Sequence, residues 1–232
     1  MIDLYALTSP NVQKVFVMLE ECELPYNTHL IDVWKGEHFT AEFTAINPNR
    51  KIPVIVDSDG PGGKPYTVIE SGAILLYLGD KTGKFIPREK RAYFDTMQWL
   101  MLQMAGVGPM FGQHVHFSKF APSGNDYGRS RYRTEVNRLF DLYDRQLKDN
   151  AYVAGSEYTV ADIAAFPWLR NVDFLGIDIA PRPHVKAWVD RISARDAVKR
   201  AMAKVAAIKS SRDTASADDK DRIFGRGKYA RA

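Results

Sequence analysis

Residues Lys51-Ile52-Pro53-Val54 and Glu70-Ser71-Gly72 constrain the fold of this chain more than any other stretch. Proline at position 53 fixes its own φ, removes one ladder donor and drives Ile52 into the extended region, so the first stretch reads as the entry to a strand. The second reads as a helix start placed directly after a strand. If the Ile52-Pro53 bond is cis, the N–H and C=O of Ile52 face outward and can pair with an extended peptide. A helix opening at Glu70-Ser71 aims free N–H groups and the positive end of its dipole at a carboxylate. Together the two specify half of a site for a small, zwitterionic, extended peptide.

The surrounding chain alternates strand and helix signals. Residues 2–7 read as a strand that ends at Thr8-Ser9-Pro10. A helix follows, with Val12, Val15, Phe16 and Leu19 spaced i, i+3, i+4 and i+7; Ser9 can cap it and Pro10 suits its first turn. Residues 29–33 read as a second strand, and 39–46 as a short helix stopped by Asn47-Pro48-Asn49. Residues 53–56 and 66–69 read as a hairpin pair across a glycine-rich turn, and 70–80 as the third helix. This order is that of an α/β thioredoxin-like domain, assigned to residues 1–81. After a linker holding Gly83 and Pro87, residues 88–208 read as an all-helical domain. One of its helices carries Trp99, Leu102 and Gln103 and is kinked by Gly106, Gly108 and Pro109. Another spans 131–147, with Val136, Leu139, Phe140 and Tyr143 on one face, and two more cover 183–194 and 196–208. Thr159 with Asp162 forms a variant capping box, flanked by Tyr158 and Ile163 as a hydrophobic staple. The polar tail, 209–232, is expected to be partly disordered or to dock on a partner subunit through Phe224.

Composition narrows the function. The 232 residues suffice for two modest cores, and short, charge-interrupted apolar runs exclude a membrane span. No basic segment followed by an apolar core opens the chain, so a secretory leader is not expected. The net charge of +4 comes from 32 basic and 28 acidic residues. The 210–232 segment supplies +2 of it, from six Lys/Arg against four Asp. The body is therefore near neutral, without the single-sign surface of a nucleic-acid binder. Cys22 is the only cysteine, which excludes an intrachain disulfide and thiolate-pair metal sites and favours the cytoplasm. His114 and His116, two apart, do not share a helix face, which argues against a metal pair.

With Ile52-Pro53, Glu70-Ser71-Gly72-Ala73-Ile74 and the box Tyr158-Thr159-Val160-Ala161-Asp162, the chain resembles the glutathione transferase superfamily over about residues 1 to 208. Ser9-Pro10-Asn11, Asn49-Arg50-Lys51-Ile52-Pro53, the 70–78 stretch and 106–113 make it most similar to the bacterial nu class, which includes glutathione-dependent disulfide-bond reductases. The resemblance implies glutathione as the ligand and no metal. Glu70 and Ser71 then serve the γ-glutamyl end, Ile52 pairs its backbone with the cysteinyl residue, and His38 and Lys51 lie near the glycyl carboxylate. Arg131 reaches toward the ligand, within its own subunit or across a dimer interface. Each has a plain alternative: Glu70 and Ser71 as first-turn residues, Lys51 and Arg131 as solvated cations.

The catalytic problem is to hold the ligand's sulfur as thiolate. Thr8, Ser9 and Asn11 stand where the first strand ends and the first helix begins, and a hydroxyl or amide there can donate to sulfur. Which of Thr8 and Ser9 does so is left open, and Ser9 also reads as an N-cap. No histidine base is placed nearby in sequence, so a donor is implied and not a nucleophile. Cys22 lies about three turns on, where the helix dipole opposes a thiolate. The implied activity is disulfide-bond reduction by the thiolate of bound glutathione. The alternatives are transfer or lysis acting on aromatic or ether electrophiles, and a non-catalytic glutathione-binding or regulatory protein. An apolar second substrate is expected near Met104, Met110, Phe111, His114, His116 and Phe117. A homodimer is implied by the resemblance, with Tyr93, Met97 and Tyr132 as candidate interface residues.

Overall fold

The computed structural model describes residues 1–230 and divides the chain into two compact units. The first comprises Met1–Tyr77 and the chain from Arg200 onward; the second is Leu78–Lys199. The sequence assigned 88–208 to the helical domain and detached 209–232 as a tail. The structure instead groups everything after Lys199 with the first unit.

In the first unit, β1 (Ile2–Ala6), α1 (Pro10–Glu21), β2 (Tyr26–Leu30), α2 (Ala41–Ile46), β3 (Val54–Asp57), β4 (Tyr66–Ile69) and α3 (Ser71–Thr82) follow in chain order. The last helix runs past the unit boundary. The sheet order is β2-β1-β3-β4, with β1 parallel to β2 and antiparallel pairing elsewhere. This is the thioredoxin-like arrangement that the alternation of signals implied. Ile2, Leu4 and Ala6 of β1 are buried, while Tyr5 on the alternate face stacks on His29 at 5.0 Å and meets Phe43. Register places Tyr5 opposite Val54, Val54 opposite Ile69, and Ala6 opposite Leu30. One end of the sheet therefore emits the β1–α1 junction, the chain entering β3, the chain leaving β4 and the chain leaving β2.

β2 begins three residues earlier than the expected 29–33 strand. It is an edge strand whose side chains are mostly exposed, so the apolar run Leu30-Ile31-Asp32-Val33 misplaces it. Asp32 ends the extended segment by accepting from the Trp34 N–H at 3.0 Å and opening a 3-10 turn, Val33–Lys35.

The second unit holds α4 (Lys90–Leu102), α5 (Gly108–Val115), α6 (Asp126–Lys148), α7 (Val160–Leu169), α8 (Val172–Leu175), α9 (Pro183–Ser193) and the start of α10 (Asp196–Ala207). A π-helical turn, Gln103–Val107, joins α4 to α5 where the Gly106-Gly108-Pro109 pattern called for a kink. Phe111, Phe140, Phe166 and Trp188 form its core, with Phe111 stacked on Phe140 at 5.3 Å. The capping box at α7 is present, and its carboxylate does more than cap. Asp162, fully buried, accepts from the Val153 N–H, the Trp188 indole N–H and both the N–H and hydroxyl of Thr159.

The segment after α10 is ordered against its own chain. A helix, α11 (Ala217–Phe224), opens on a Ser216–Asp219 capping box and closes on Gly225 at φ 62°. The Phe224 ring meets Trp34 edge-on at 6.3 Å, Lys228 pairs with Asp218 and Arg226 with Asp221. Upstream, Glu20 pairs with Arg200 at 2.9 Å and Lys204 at 2.6 Å. The expectation that the tail is partly disordered, or that Phe224 docks on a partner subunit, is thus corrected for residues 209–230: Phe224 packs on Trp34 of the same chain. The last two positions of the tail lie outside the described residues. Among the described residues no helix is long and apolar enough to cross a membrane, and no three His, Cys, Asp or Glu side chains gather as a metal site would require.

Removing the Asp162 acceptor strands four buried donors, each costing on the order of 1 kcal/mol or more. Asp162→Ala is expected to lower the urea unfolding free energy by about 4 kcal/mol and Asp162→Asn by less. A loss below about 1 kcal/mol for the alanine variant would show that the box contributes little.

Candidate functional site

At the β1–α1 junction, Ser9 is extended (φ −65°, ψ 156°) and its hydroxyl accepts from the Val12 N–H at 3.4 Å, while Pro10 fills the first helical position. Ser9 is exposed, and Thr8 and Asn11 are half-buried. The Thr8 carbonyl accepts from the Gln13 amide at 2.9 Å, which ties the strand end to the first turn of α1. A group placed before this turn meets hydroxyls and the positive end of a twelve-residue helix dipole. Cys22 lies at the opposite end, as the C-cap of α1 and 6% exposed. At 1.5 Å per residue it is about 20 Å further along the helix.

The Ile52-Pro53 bond is cis, and Ile52 lies two residues before the ladder begins at Val54. The approach to it is built by Asn47, 1% exposed, whose amide donates to the Lys51 carbonyl at 2.7 Å and whose oxygen accepts from the Asn49 N–H at 2.9 Å. Asn49 in turn donates to Glu70 at 3.2 Å, linking this loop to the β4–α3 junction. Glu70 has φ 68°, a left-handed conformation that costs a non-glycine residue about 1–2 kcal/mol. That turn sets its exposed carboxylate beside the N-terminus of α3.

Ser71, 4% exposed, opens α3 and accepts from the Lys14 ammonium at 3.2 Å. Lys14 is itself 1% exposed, and burial pushes it down to about 7 against the opposing pull of Glu70. The sequence reading passed over Lys14 and treated Asn47 only as a helix stop. The signal for Lys14 was available: it sits in a helix flanked by Val12, Val15, Phe16 and Val17, which leaves no polar face for it.

His38 lies in a 3-10 turn, Glu37–Phe39, and is 4% exposed with no partner on Nδ1. Burial, then the positive charges of Lys51, Arg222 and Arg50, push its imidazole down to about 4. It is therefore neutral near pH 7.

Thr8, Ser9, Asn11, His38, Lys51, Ile52, Pro53, Glu70 and Ser71 all belong to the first unit, on segments leaving or entering one end of its sheet. Arg131 belongs to the second, where its guanidinium pairs with Glu135 at 2.6 Å on the exposed side of α6. Of the residues expected around an apolar second substrate, Phe111 and His114 are buried in the second unit's own core. His114 Nε2 lies 2.8 Å from the Leu175 carbonyl, a structural bond.

The family profile of the glutathione S-transferase N-terminal domain matches residues 8–81, and that of the C-terminal domain matches 108–196. The chain is 44% identical over 205 residues to the disulfide-bond oxidoreductase YfcG of Escherichia coli, covering 88% of this chain and 95% of that one. A glutathione transferase family member from Pseudomonas fluorescens, solved with two glutathiones bound, superposes with a TM-score of 0.82 at 43% identity, over 87% of this chain and 92% of that one. A glutathione transferase from Pseudomonas putida, solved with one glutathione disulfide per subunit, gives 0.82 at 38% identity, over 87% and 90%.

The position of Lys14 fixes a pH dependence. Its folded pKa of about 7 lies below the ordinary 10.5, so between these values the unfolded chain holds a proton that the folded chain has released. Stability therefore rises with pH across that window, and the cost of burying the charge is felt in full below it. Relative to Lys14→Met, the ligand-free wild type is expected to gain on the order of 1 kcal/mol per pH unit from pH 7 to 9.5. Parallel urea-denaturation profiles for the two proteins would show that Lys14 is not buried as a strained cation.

Proposed function

Since this chain belongs to the glutathione S-transferase family, we propose that it is a nu-class, glutathione-dependent disulfide-bond reductase in which no protein cysteine takes part. The observation that carries this reading is the polarity of α1: hydroxyl donors and the favourable dipole end at Thr8, Ser9 and Asn11, and the sole cysteine at the unfavourable end. The name of the Escherichia coli relative supports the reaction class. The relatives solved with two glutathiones and with glutathione disulfide correspond to the reduced and oxidised ends of such a cycle.

In this reading the Ser71 hydroxyl and the first N–H groups of α3 receive the γ-glutamyl carboxylate, and the Glu70 carboxylate accepts from the γ-glutamyl ammonium. Lys14 orients the Ser71 hydroxyl from below. Ile52 pairs its backbone N–H and C=O with the cysteinyl residue, alongside Pro53. His38 and Lys51 meet the glycyl carboxylate. Thr8, Ser9 and Asn11 donate to the sulfur and lower its pKa, so thiolate is available at neutral pH.

The thiolate attacks one sulfur of the substrate disulfide, forming a glutathione mixed disulfide and expelling the other sulfur as a thiolate that takes up a proton. A second glutathione thiolate attacks the glutathionyl sulfur, forming glutathione disulfide and releasing the second substrate thiol. Two glutathiones are oxidised for each disulfide reduced. We further place the protein in the cytoplasm as a homodimer; the exposed Tyr93, Phe94 and Met101 on α4 supply an apolar face of the kind that subunit contacts cover.

Reduction of 2-hydroxyethyl disulfide, coupled to glutathione reductase, tests the chemistry. Cys22→Ser should retain the rate within about twofold, because the thiol sits at the wrong end of α1; a collapse would overturn the mechanism. Ser9→Asp separates capping from catalysis. Aspartate preserves the N-cap but sets a negative charge beside the sulfur. Little change in melting temperature is expected, with kcat/KM reduced at least about tenfold and its pH profile displaced to alkaline values. An unchanged profile would remove Ser9 from the sulfur site.

A further inference from the structure

Both family profiles stop at or before residue 196, so they assign nothing to the segment that carries α11. Within the first unit, that segment delivers one cation to the loop bearing His38. Arg222 donates from Nη1 to the Lys35 carbonyl at 3.2 Å and from Nη2 to Asp219 at 2.6 Å. The contact lies against a turn whose backbone already calls for glycine. Gly36 has φ 82°, which favours glycine, and a Cβ there would lie 2.7 Å from Arg222 Nη1, so the guanidinium sits directly over the turn. Gly36 ends the 33–35 turn and opens the 37–39 turn on which His38 sits.

Two buried polar atoms in this neighbourhood lack partners, Nδ1 of His38 and Nε of Arg222. A buried polar atom left unpaired costs about 1–3 kcal/mol and calls for an explanation. The charges around His38 are lopsided: Lys51, Arg50 and Arg222 all act on it as cations. Of the nearby acids, Asp219 is paired with Arg222, and Glu37 is turned to the Asp32 N–H at 2.6 Å. Anchoring is firm, because Phe224, two residues on from Arg222, packs against Trp34. An unpartnered guanidinium N–H and an unpartnered imidazole nitrogen, a donor in the Nδ1–H tautomer, amid these cations describe an anion site.

We propose that Arg222 is a specificity-determining residue for glutathione: carried by the C-terminal segment, it joins His38 and Lys51 in receiving the glycyl carboxylate and selects a free carboxylate over a neutral or extended glycyl end. The inference rests on the glutathione reading above and adds a residue that lies outside the family profiles. It also gives α11 a role, that of holding a guanidinium against Gly36.

Calorimetric titration of the full chain with glutathione and with its glycyl monoethyl ester tests the proposal. Arg222→Met should weaken glutathione about tenfold and leave the ester within about twofold, Arg222→Lys should recover part of the loss, and melting temperatures should show that the fold persists. Because Arg222→Met also leaves Asp219 unpaired, the Arg222→Met/Asp219→Asn double variant is measured too and should show the same selective loss. If α11 merely braces the loop, both ligands weaken equally and the proposal is overturned. It is likewise overturned if glutathione affinity is unchanged in both variants while the wild type binds. Absence of binding by the wild type would instead sink the glutathione reading itself.

Discussion

Pairing of Tyr5 with Val54, and of Val54 with Ile69, brings together chain connections that are far apart in sequence. Because side chains alternate along a strand, a slip of one residue would turn Leu4 and Ile55 out of the core, which fixes the register strongly. Once it is fixed, Ser9, Ile52 and Glu70 each follow a strand end or precede a strand start at the same edge. The site is thus a consequence of sheet topology first and of side-chain chemistry second. The parallel β1–β2 pair adds the 33–39 loop to the same edge.

A second set of constraints is polar. Asn47, almost fully buried, satisfies the Lys51 carbonyl and the Asn49 N–H, and Asn49 then reaches Glu70. This chain of hydrogen bonds couples the cis-proline loop to the α3 N-terminus, so the two stretches that looked independent in sequence form one frame. Glu70 is held in a left-handed conformation within it. Residues in such strained conformations persist where the surroundings over-determine them, which is common at binding sites.

Much of this was legible in the sequence because local rules agreed with one another. The Ser9-Pro10 helix opening, the strand at 66–69 and the box at Thr159 and Asp162 each combine a periodic pattern with a specific cap or turn residue. Where the reading failed, the deciding contacts were long-range. β2 is an exposed edge strand, so its position depends on hydrogen bonds to β1 and not on an apolar pattern. The C-terminal segment has too few apolar residues to signal a core; it meets the first unit through the Phe224 contact to Trp34 and the Arg222 bond to the Lys35 carbonyl, which periodicity does not reveal. Lys14 shows the converse, since a buried lysine is hidden by the very apolar pattern that buries it.

Charge distribution connects these observations to chemistry. Glutathione bound as a thiolate carries two carboxylates, one ammonium and one sulfur anion, so a host must supply more positive than negative character. The first unit does so in two places, at Lys14 beside Ser71 and among Lys51, Arg50 and Arg222 around His38. Burial pushes Lys14 down to about 7 and His38 down to about 4. A carboxylate arriving at Ser71 would draw Lys14 toward its charged form, because an opposite charge offsets the desolvation that depresses it. In the proposed reading, affinity and proton uptake are linked at the γ-glutamyl end, while the sulfur at the other helix start is served by the α1 dipole and the hydroxyl and amide donors of Thr8, Ser9 and Asn11. On that proposal, one small domain binds carboxylates through cations while the groups offered to the sulfur, Thr8, Ser9 and Asn11, do not titrate near neutral pH.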